Sequence, residues 1–333
     1  MKNLLSSDER KMHFAFASDN NYAQHMAVSI ASLLKNASEG FPIDIYILHE
    51  NLSAQHREKL SQLKDLRPQT HIQLIRIGIE DFNDFPLHTG LHSIATYFRL
   101  KLPSLLPEVD RILYLDSDIV VCGDIVDMWR NYPCEDKLLG AVEEPKSLNA
   151  KRLTVLGMKE DSPYFNGGIL DMNLKKMRDT QFEAKSISYI SCYKDVIRYQ
   201  DQDVLNALAE GDWRVLPLRF NSFFFVLEGI YKNDFRIYTA ADIQQARQNP
   251  FIIHYNQHPK PWCEGCIDPR RKDYFKYIDL TPYKGFRVDQ SKSWRPILKE
   301  KLRNSVFYLN TQAPFLYRVL RSIKRKVVGY GHS

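Results

Sequence analysis

The stretch RILYLDSDIVVCGD, residues 111–124, places two carboxylates inside an apolar run. RILYL (111–115) has the composition of a buried strand, and Asp116 and Asp118 follow it directly. Alternate side chains of a strand point to the same side, so both carboxylates project together, with Ser117 opposite. Because unpaired buried charge is costly, they require a cation, and oxygen ligands of this kind are typical of a Mg²⁺ or Mn²⁺ site.

Strand and helix patterns alternate around this stretch. SDNNY (18–22) and DSD (116–118) follow the first and fourth predicted strands, and the carboxyl ends of neighbouring parallel strands meet at one edge of a sheet. The alternation predicts right-handed crossovers, a mostly parallel sheet and a ligand site at that edge. The predicted strands are 12–17, 42–48, 71–77, 111–115, 138–144, 165–174 and 251–255. The predicted helices are 22–36, 53–66 with Ser53 as N-cap, 96–106 interrupted by Pro103, 174–191 and 200–210.

Composition indicates one large domain with an appendage. The 333 residues are 44% hydrophobic and 12% aromatic, which is enough apolar surface for a sizeable core and argues against a disordered chain. Residues 1–285 show neither an internal repeat nor a low-complexity linker. We therefore predict one α/β catalytic domain over 1–285 and a separate basic, helical region over 286–333.

The net charge of +6 is concentrated at the C-terminal end. Residues 291–333 hold ten Lys or Arg against Glu300 alone, a local charge of +9 that leaves about −3 for residues 1–290. In residues 314–328, four apolar side chains fall on one helical face and basic side chains lie around it, the pattern of a helix on an anionic bilayer. We predict that residues 296–333 bind an anionic membrane surface; a basic helix packed on the body is the alternative. Nucleic acid is not an expected partner, because the body is acidic.

Cysteine usage and the N-terminal segment predict a cytoplasmic protein. Five cysteines are few and odd in number, which does not describe a disulfide framework, so we expect reduced thiols. The opening MKNLLSSDERK lacks a signal-peptide core, and no apolar run approaches the roughly 18 residues of a membrane span. His254, His258, Cys263 and Cys266 form H-x₃-H-x₄-C-x₂-C, the ligand types of a zinc site, which is an alternative interpretation of that region.

Familiar phosphate and calcium motifs are absent from the sequence. There is no GxxxxGK[ST], and the first predicted strand is followed by SDNNYAQ rather than GxGxxG, which excludes a P-loop and a dinucleotide cradle. Ile119 and Val120 stand where an EF-hand needs a ligand and a glycine. A nucleotide would therefore have to be held by side chains and a metal ion.

Six blocks of sequence, taken together and in order, resemble a known enzyme family. They are FASDNNY (16–22), YFR (97–99), LYLDSD (113–118), FNGGILDMNL (165–174), YQDQDVLN (199–206) and HYNQHPKPW (254–262). The set is similar to the retaining glycosyltransferases of family 8, which include bacterial lipopolysaccharide α-galactosyl- and α-glucosyltransferases and glycogenin. The resemblance implies a GT-A fold of Rossmann-like type with a mixed central sheet, a UDP-hexose donor, Mn²⁺, and retention at the anomeric carbon.

The resemblance implies that Asp116, Asp118 and His254 are the metal ligands, with Mn²⁺ as the ion and Mg²⁺ as the alternative. The residue types agree, because two carboxylates and a neutral imidazole leave coordination positions for diphosphate oxygens. Lys260 matches the lysine that contacts the diphosphate, where a cation would offset the charge of the leaving UDP. The last block departs from the family pattern HxxGxxKPW at Gln257, which stands in the glycine position.

The uridine end of the donor is assigned to the first block. Ala17, Asp19 and Asn21 match the family positions that hold uridine, and Tyr22 provides a stacking face. By themselves Asp19 and Asn21 are ordinary turn residues, so this assignment depends on the resemblance.

The sugar end is assigned to three other blocks. Arg99 matches the arginine near the donor sugar. The residues that match positions around the sugar hydroxyls and the anomeric carbon are Asn166, Asp201 and Gln202. We take Gln202, Asp201 and their neighbour Asp203 as the catalytic candidates. Retention usually indicates a carboxylate nucleophile. The amide of Gln202 is a poor nucleophile, which favours same-face attack on an ion-pair-like state.

The expected function is that of a retaining hexosyltransferase with a UDP-galactose or UDP-glucose donor. The expected acceptor is a glycolipid, the lipopolysaccharide core or a related bacterial surface glycan, and the product has an α linkage. The expected location is the cytoplasmic face of the inner membrane, with the enzyme bound peripherally. The alternatives are a capsule or O-antigen acceptor within the same family, and a metal-dependent phosphohydrolase that would use Asp116, Asp118 and His254.

Overall fold

The computed structural model describes residues 11–87, 93–149, 151–229 and 234–288, together with Leu298 and Leu302. The strands are β1 (Met12–Ala17), β2 (Ile43–His49), β3 (Thr70–Arg76), β4 (Arg111–Leu115), β5 (Ile119–Val121), β6 (Leu139–Glu143), β7 (Phe165–Asn173), β8 (Trp213–Val215), β9 (Ser222–Phe223) and β10 (Ile252–His254). The α-helices are α1 (Ala23–Lys35), α2 (Ala54–Ser61), α3 (Leu102–Leu105), α4 (Ile125–Asn131), α5 (Lys146–Asn149), α6 (Leu174–Asp179), α7 (Phe182–Tyr193), α8 (Gln200–Leu208), α9 (Phe224–Leu227), α10 (Ala240–Gln248) and α11 (Arg271–Ile278). Short 3₁₀ helices span Gln62–Leu66, Glu80–Phe82, Ile94–Lys101, Thr154–Leu156 and Leu218–Asn221.

Seven strands form a mixed central sheet in the order β3-β2-β1-β4-β7-β6-β8. Strands β1, β2, β3 and β4 run parallel, as the alternation of strands and helices predicts. Strand β7 runs antiparallel to both β4 and β6. Strand β8 runs parallel to β6, so β7 is the one strand of this sheet that opposes the other six. The mixed sheet expected from the resemblance and the mostly parallel sheet predicted from the alternation are therefore both confirmed.

A second sheet of three strands, in the order β5-β10-β9, carries the C-terminal part of the site. β10 runs antiparallel to β5, so that His254 is opposite Ile119. β10 runs parallel to β9, so that His254 is opposite Phe223. This pairing places His254 beside the residue that follows Asp118.

Helix α1 holds the turn between β4 and β5 from beneath. The hydroxyl oxygen of Ser29 lies 2.9 Å from the carbonyl oxygens of Ser117 and Ile119. The backbone N–H of Val121 donates to the hydroxyl of Ser32 at 2.9 Å. These buried hydroxyls satisfy backbone groups that the turn would otherwise leave unpaired, so the turn that carries Asp116 and Asp118 is fixed in position.

Two predicted helices differ from the observed ones. The predicted helix over 174–191 is two helices, α6 and α7, because Gln181 adopts a positive φ of 54° between them. The predicted helix over 96–106 is a 3₁₀ helix that leads into α3, where Pro103 occupies the first turn. Ser53 accepts from the backbone N–H of His56 at 3.2 Å, which confirms it as the N-cap of α2.

The predicted membrane-binding region, residues 296–333, lies outside the described residues apart from Leu298 and Leu302. Its helical character and the domain boundary at 285/286 therefore stay predictions. Among the helices that the structure describes, none combines the length and the apolar character needed to cross a membrane.

Candidate active site

A cavity of about 560 Å³ opens at the carboxyl ends of β1 and β4. Its volume falls in the range of small-molecule sites. Eleven of the thirteen residues that the sequence assigns to the site line it: Ala17, Asp19, Asn21, Tyr22, Arg99, Asp116, Asp118, Asn166, Gln202, His254 and Lys260. Asp201 and Asp203 do not appear in its lining.

Asp116, Asp118 and His254 form one cluster of metal-ligating side chains. One ligand atom of each lies within 4.8 Å of the others. Nε2 of His254 is 3.3 Å from Oδ1 of Asp118 and 3.7 Å from Oδ2 of Asp116. Within the described ranges this is the sole group of three or more His, Cys, Asp or Glu side chains close enough to share an ion.

The zinc interpretation of the same region finds no support in this geometry. His258, Cys263 and Cys266 are all described, and none joins His254 in a ligand cluster. His254 belongs with the two carboxylates instead.

Gly168 on β7 lies directly against the cluster, and the absence of a side chain at this position leaves room for the His254 and Asp116 side chains. A Cβ atom at this position would lie 2.3 Å from Cε1 of His254 and 2.8 Å from Oδ2 of Asp116. Both separations are far below van der Waals contact. Two carboxylates and one imidazole around a space that only glycine leaves open fit a small divalent cation.

Lys260 lies beside the cluster, on the second oxygen of Asp118. Its Nζ donates to Oδ2 of Asp118 at 2.7 Å and to the carbonyl oxygen of Tyr255 at 2.6 Å. Burial acts to raise the pKa of Asp118, but nearby positive charge, foremost the Lys260 ammonium, outweighs it and holds that pKa well below its ordinary value. Asp118 is therefore ionised at neutral pH, as a metal ligand has to be.

Arg99 joins the metal cluster to Asp201. Its Nη2 donates to Oδ1 of Asp116 at 2.8 Å, and its Nε lies 3.0 Å from Oδ2 of Asp201. The guanidinium also stacks on the ring of Tyr114, 3.8 Å from its centroid. Burial raises the pKa of Asp201 to about 7, against the opposing effect of Arg99. Asp201 thus contacts Arg99 outside the cavity lining and orients its guanidinium toward Asp116.

Gln202 is held at both ends of its amide. Its Oε1 accepts from the backbone N–H of Gly167 at 2.8 Å, and its Nε2 donates to the hydroxyl of Tyr164 at 3.3 Å. That hydroxyl donates to Oδ1 of Asp203 at 2.6 Å. Asp203 is fully buried, pairs with Arg152 and accepts from backbone N–H groups at the start of α8. Of the three catalytic candidates, Gln202 alone lines the cavity.

The end of the cavity that the resemblance assigns to uridine consists of a turn followed by aromatic side chains. Oδ1 of Asp19 accepts from the backbone N–H groups of Asn21 and Tyr22, at 2.9 and 3.1 Å, which fixes the turn that precedes α1. The ring of Tyr22 meets that of Trp262 edge-on, with 5.8 Å between the ring centroids. The ring of His25 stacks on the same Trp262, with 3.6 Å between the centroids. The residues that resemble the uridine site therefore form one rigid side of the cavity.

Two polar residues of this region escaped the sequence analysis. Glu144 lines the cavity, and its Oε1 accepts from Nδ2 of Asn166 at 2.8 Å; burial raises its pKa. Glu144 could have been predicted as a site residue from its position, because it follows the carboxyl end of β6 as Asp116 follows that of β4. Asn221 contacts His254, and no feature of the RFN sequence around it signals that role.

Comparisons with known proteins agree with this geometry. The chain matches the model of Glycosyl transferase family 8 over residues 13–266. The lipopolysaccharide 1,2-glucosyltransferase of Escherichia coli strain K12 is 29% identical over 285 residues, which cover 85% of this chain and 82% of that protein. The lipopolysaccharide 1,3-galactosyltransferase of Salmonella typhimurium is 26% identical over 263 residues, which cover 77% of this chain and 74% of that protein.

A solved structure adds the comparison of folds. The galactosyltransferase LgtC, in complex with donor and acceptor sugar analogs, matches with a TM-score of 0.73 and 28% identity over 85% of this chain and 99% of that one. The expected GT-A fold is thereby confirmed. The family match includes both carboxylates of the DSD turn, His254 and Lys260. Because it spans most of the sequence, the chain belongs to glycosyl transferase family 8.

Proposed function

We propose that the protein is a retaining hexosyltransferase that moves glucose or galactose from a UDP-sugar to the lipopolysaccharide core or a related surface glycan. One observation carries the proposal. Asp116, Asp118 and His254 converge within 4.8 Å in the same cavity as Lys260, so that a metal site and an ammonium lie side by side. That pairing of charges suits a diphosphate.

The metal site and Lys260 would together hold the leaving group. A divalent ion bound by Asp116, Asp118 and His254 would neutralise diphosphate oxygens and stabilise their developing charge. The imidazole ligand favours Mn²⁺, with Mg²⁺ as the alternative. Lys260 is held in place by the carbonyl oxygen of Tyr255, so its charge is already oriented before the donor binds.

The remaining cavity would receive the two other parts of the donor. Asp19, Asn21 and Tyr22, next to Ala17, would hold the uridine at the end of the cavity beside α1. The hexose would lie toward Asn166 and Gln202, whose amides present both hydrogen-bond donors and acceptors to sugar hydroxyls.

Same-face attack is the mechanism that the side chains favour. The bond from the anomeric carbon to the diphosphate oxygen breaks, the acceptor hydroxyl forms the new bond from the same face, and its proton passes to the diphosphate. Gln202 lies on this side of the cavity, but its amide cannot form a stable covalent intermediate. Asp201 and Asp203, the two carboxylates among the catalytic candidates, are occupied by Arg99 and Arg152, and Oε1 of Glu144 in the cavity lining accepts from Asn166.

The proposed acceptor rests on the relatives, and the proposed location rests on the basic residues of 296–333. The two relatives described above act, by their names, on lipopolysaccharide, one as a 1,2-glucosyltransferase and the other as a 1,3-galactosyltransferase. They support a lipopolysaccharide acceptor for this chain, while the α linkage follows from the retention that the family resemblance implies. We propose that the enzyme works at the cytoplasmic face of the inner membrane, bound peripherally through residues 296–333.

The test is UDP release from a panel of UDP-sugars with and without Mn²⁺. We expect one dominant donor, UDP-glucose or UDP-galactose, and a dependence on the metal ion. Release of inorganic phosphate from simple phosphate esters without turnover of any UDP-sugar would instead indicate a phosphohydrolase.

A further inference from the structure

Asn221 lies between the metal cluster and the sugar end of the cavity, and it has no exposed surface. Its Oδ1 is 2.9 Å from Nδ1 of His254, and its Nδ2 donates to Oδ1 of Asn166 at 2.8 Å. The parallel pairing of β9 and β10 sets this position, because Ser222 is opposite Ile253 and Asn221 directly precedes Ser222. One buried amide therefore spans a predicted metal ligand and a residue of the donor pocket.

The direction of each hydrogen bond in the series from Asn166 through Asn221 to His254 follows from one backbone N–H group. The N–H of Gly168 donates to Asn166 at 2.9 Å, and a backbone N–H can only donate, so the atom that it meets is the oxygen of Asn166. The atom of Asn221 that contacts the same oxygen must then be its NH₂ group. The amide oxygen of Asn221 is left to face His254, and that contact requires a proton on Nδ1.

A proton on Nδ1 leaves the lone pair of neutral His254 on Nε2. This is the nitrogen that lies 3.3 Å from Asp118 and 3.7 Å from Asp116. An unprotonated Nε2 that faces two carboxylates is poised to bind a cation and is poorly placed without one. Metal-binding histidines commonly donate their other N–H to a carbonyl or carboxylate, which fixes the ring and its tautomer.

We infer that Asn221 is a positioning residue that fixes His254 as the Nδ1–H tautomer and holds its ring for metal binding, while the same amide orients Asn166 in the donor pocket. The inference rests on the proposed metal site. It assigns to Asn221 two separable duties, because the oxygen serves the metal side and the NH₂ group serves the sugar side.

Two variants of Asn221, with a third variant as control, test the metal side of this role in a Mn²⁺ titration followed by electron paramagnetic resonance of the free ion. Asn221→Leu keeps the volume and removes both contacts, so we expect the Mn²⁺ dissociation constant to rise about 10- to 100-fold. Asn221→Asp keeps an acceptor for Nδ1–H. We therefore expect its Mn²⁺ affinity to stay within about threefold of wild type, well short of the roughly 10- to 100-fold loss that follows removal of a supporting residue. Asn206→Leu is the control, because Asn206 is similarly buried and does not contact the metal cluster. Its amide bonds the backbone of Phe165 at 2.7 and 2.8 Å and the carbonyl oxygen of Gln202 at 2.9 Å.

Two results would overturn the inference: wild-type Mn²⁺ affinity in Asn221→Leu, or the same loss in Asn221→Asp as in Asn221→Leu. A second measurement does not depend on the Asn221 variants. In ¹⁵N-histidine-labelled wild-type protein with Mg²⁺ at pH 8, the resonance that is absent from His254→Gln should show a protonated Nδ1 and an unprotonated Nε2; the reverse tautomer would contradict the inference. If the wild type binds no Mn²⁺, the proposed function fails, while the tautomer still decides the role of Asn221.

Discussion

Nζ of Lys260 lies 2.7 Å from Oδ2 of Asp118, and Oδ1 of the same carboxylate lies 3.3 Å from Nε2 of His254. Asp118 therefore connects Lys260 to the cluster of metal-ligating side chains, the two groups that we propose to bind the diphosphate. Asp118 is the last residue of the DSD turn, directly before β5, and Lys260 lies in the loop that follows β10. Their contact joins the two halves of the chain at the site of the proposed chemistry.

Replacing Lys260 by methionine should weaken catalysis more than folding. The variant keeps the apolar stem and removes the charge that would meet the leaving diphosphate, so we expect kcat/KM for the donor to fall about 10²- to 10³-fold. UDP release measures the effect. Lys176→Met is the matched control, because Lys176 is half-buried and pairs with Asp212 at 2.7 Å away from the cavity. A loss of less than threefold in Lys260→Met would contradict a role for this charge.

A methyl group at Gly168 should disrupt the metal cluster. In Gly168→Ala the new Cβ would meet Cε1 of His254 at 2.3 Å, and neither the buried imidazole nor the central strand β7 has room to move. We expect a loss of at least about tenfold in Mn²⁺ affinity, comparable with the loss of a supporting residue. In the control Gly140→Ala, the Cβ would lie 3.3 Å from Leu216, on the same sheet and away from the site. Equal Mn²⁺ affinity in both variants would argue against a site at Gly168.

Local patterns in the sequence predicted most of the sheet and both carboxylates of the metal cluster. The position of His254 depends on a pairing that no local pattern reveals, because β5 has only three residues and its partner β10 comes more than 130 residues later. The antiparallel direction of β7 could not be predicted from local sequence patterns for a similar reason, since strand direction is a property of the pairing and not of composition.

Glu143 and Glu144 show why a site residue can be missed. The two adjacent carboxylates are indistinguishable in LLGAVEE, yet Glu143 accepts from the backbone N–H groups of Arg236 and Ile237, at 3.1 and 3.0 Å, while Glu144 faces the cavity. The register shift of β6 against β7 between Gly140 and Val142 helps to decide which one turns inward. Such an irregularity reverses the faces of a strand and leaves little trace in composition.

No glycosyl-enzyme should accumulate during turnover. Gln202 is an amide, and the carboxylates of Asp201 and Asp203 are held by arginines, so same-face attack predicts a wild-type enzyme without a covalent hexose by intact-protein mass spectrometry. Gln202→Ala should lower kcat with no adduct. A hexose adduct that maps to Asp201, Asp203 or Glu144 would support double displacement instead.

Removal of residues 296–333 should separate membrane binding from chemistry. The basic residues of this region would each contribute about 1 kcal/mol of attraction to an anionic bilayer. We expect the truncated protein to lose sedimentation with anionic liposomes and to keep the hydrolysis of its UDP-sugar. Neutral liposomes serve as the control. Unchanged sedimentation after truncation would contradict the anchoring role.

The central claim is that Asp116, Asp118 and His254 bind one divalent ion beneath the diphosphate. A Mn²⁺ titration in the presence of UDP, with free Mn²⁺ followed by electron paramagnetic resonance, tests it directly. The account predicts one Mn²⁺ per chain in the wild type, with affinity at least tenfold weaker in Asp118→Asn and in His254→Gln, since each variant removes a ligand. Wild-type stoichiometry and affinity in both variants would contradict the account.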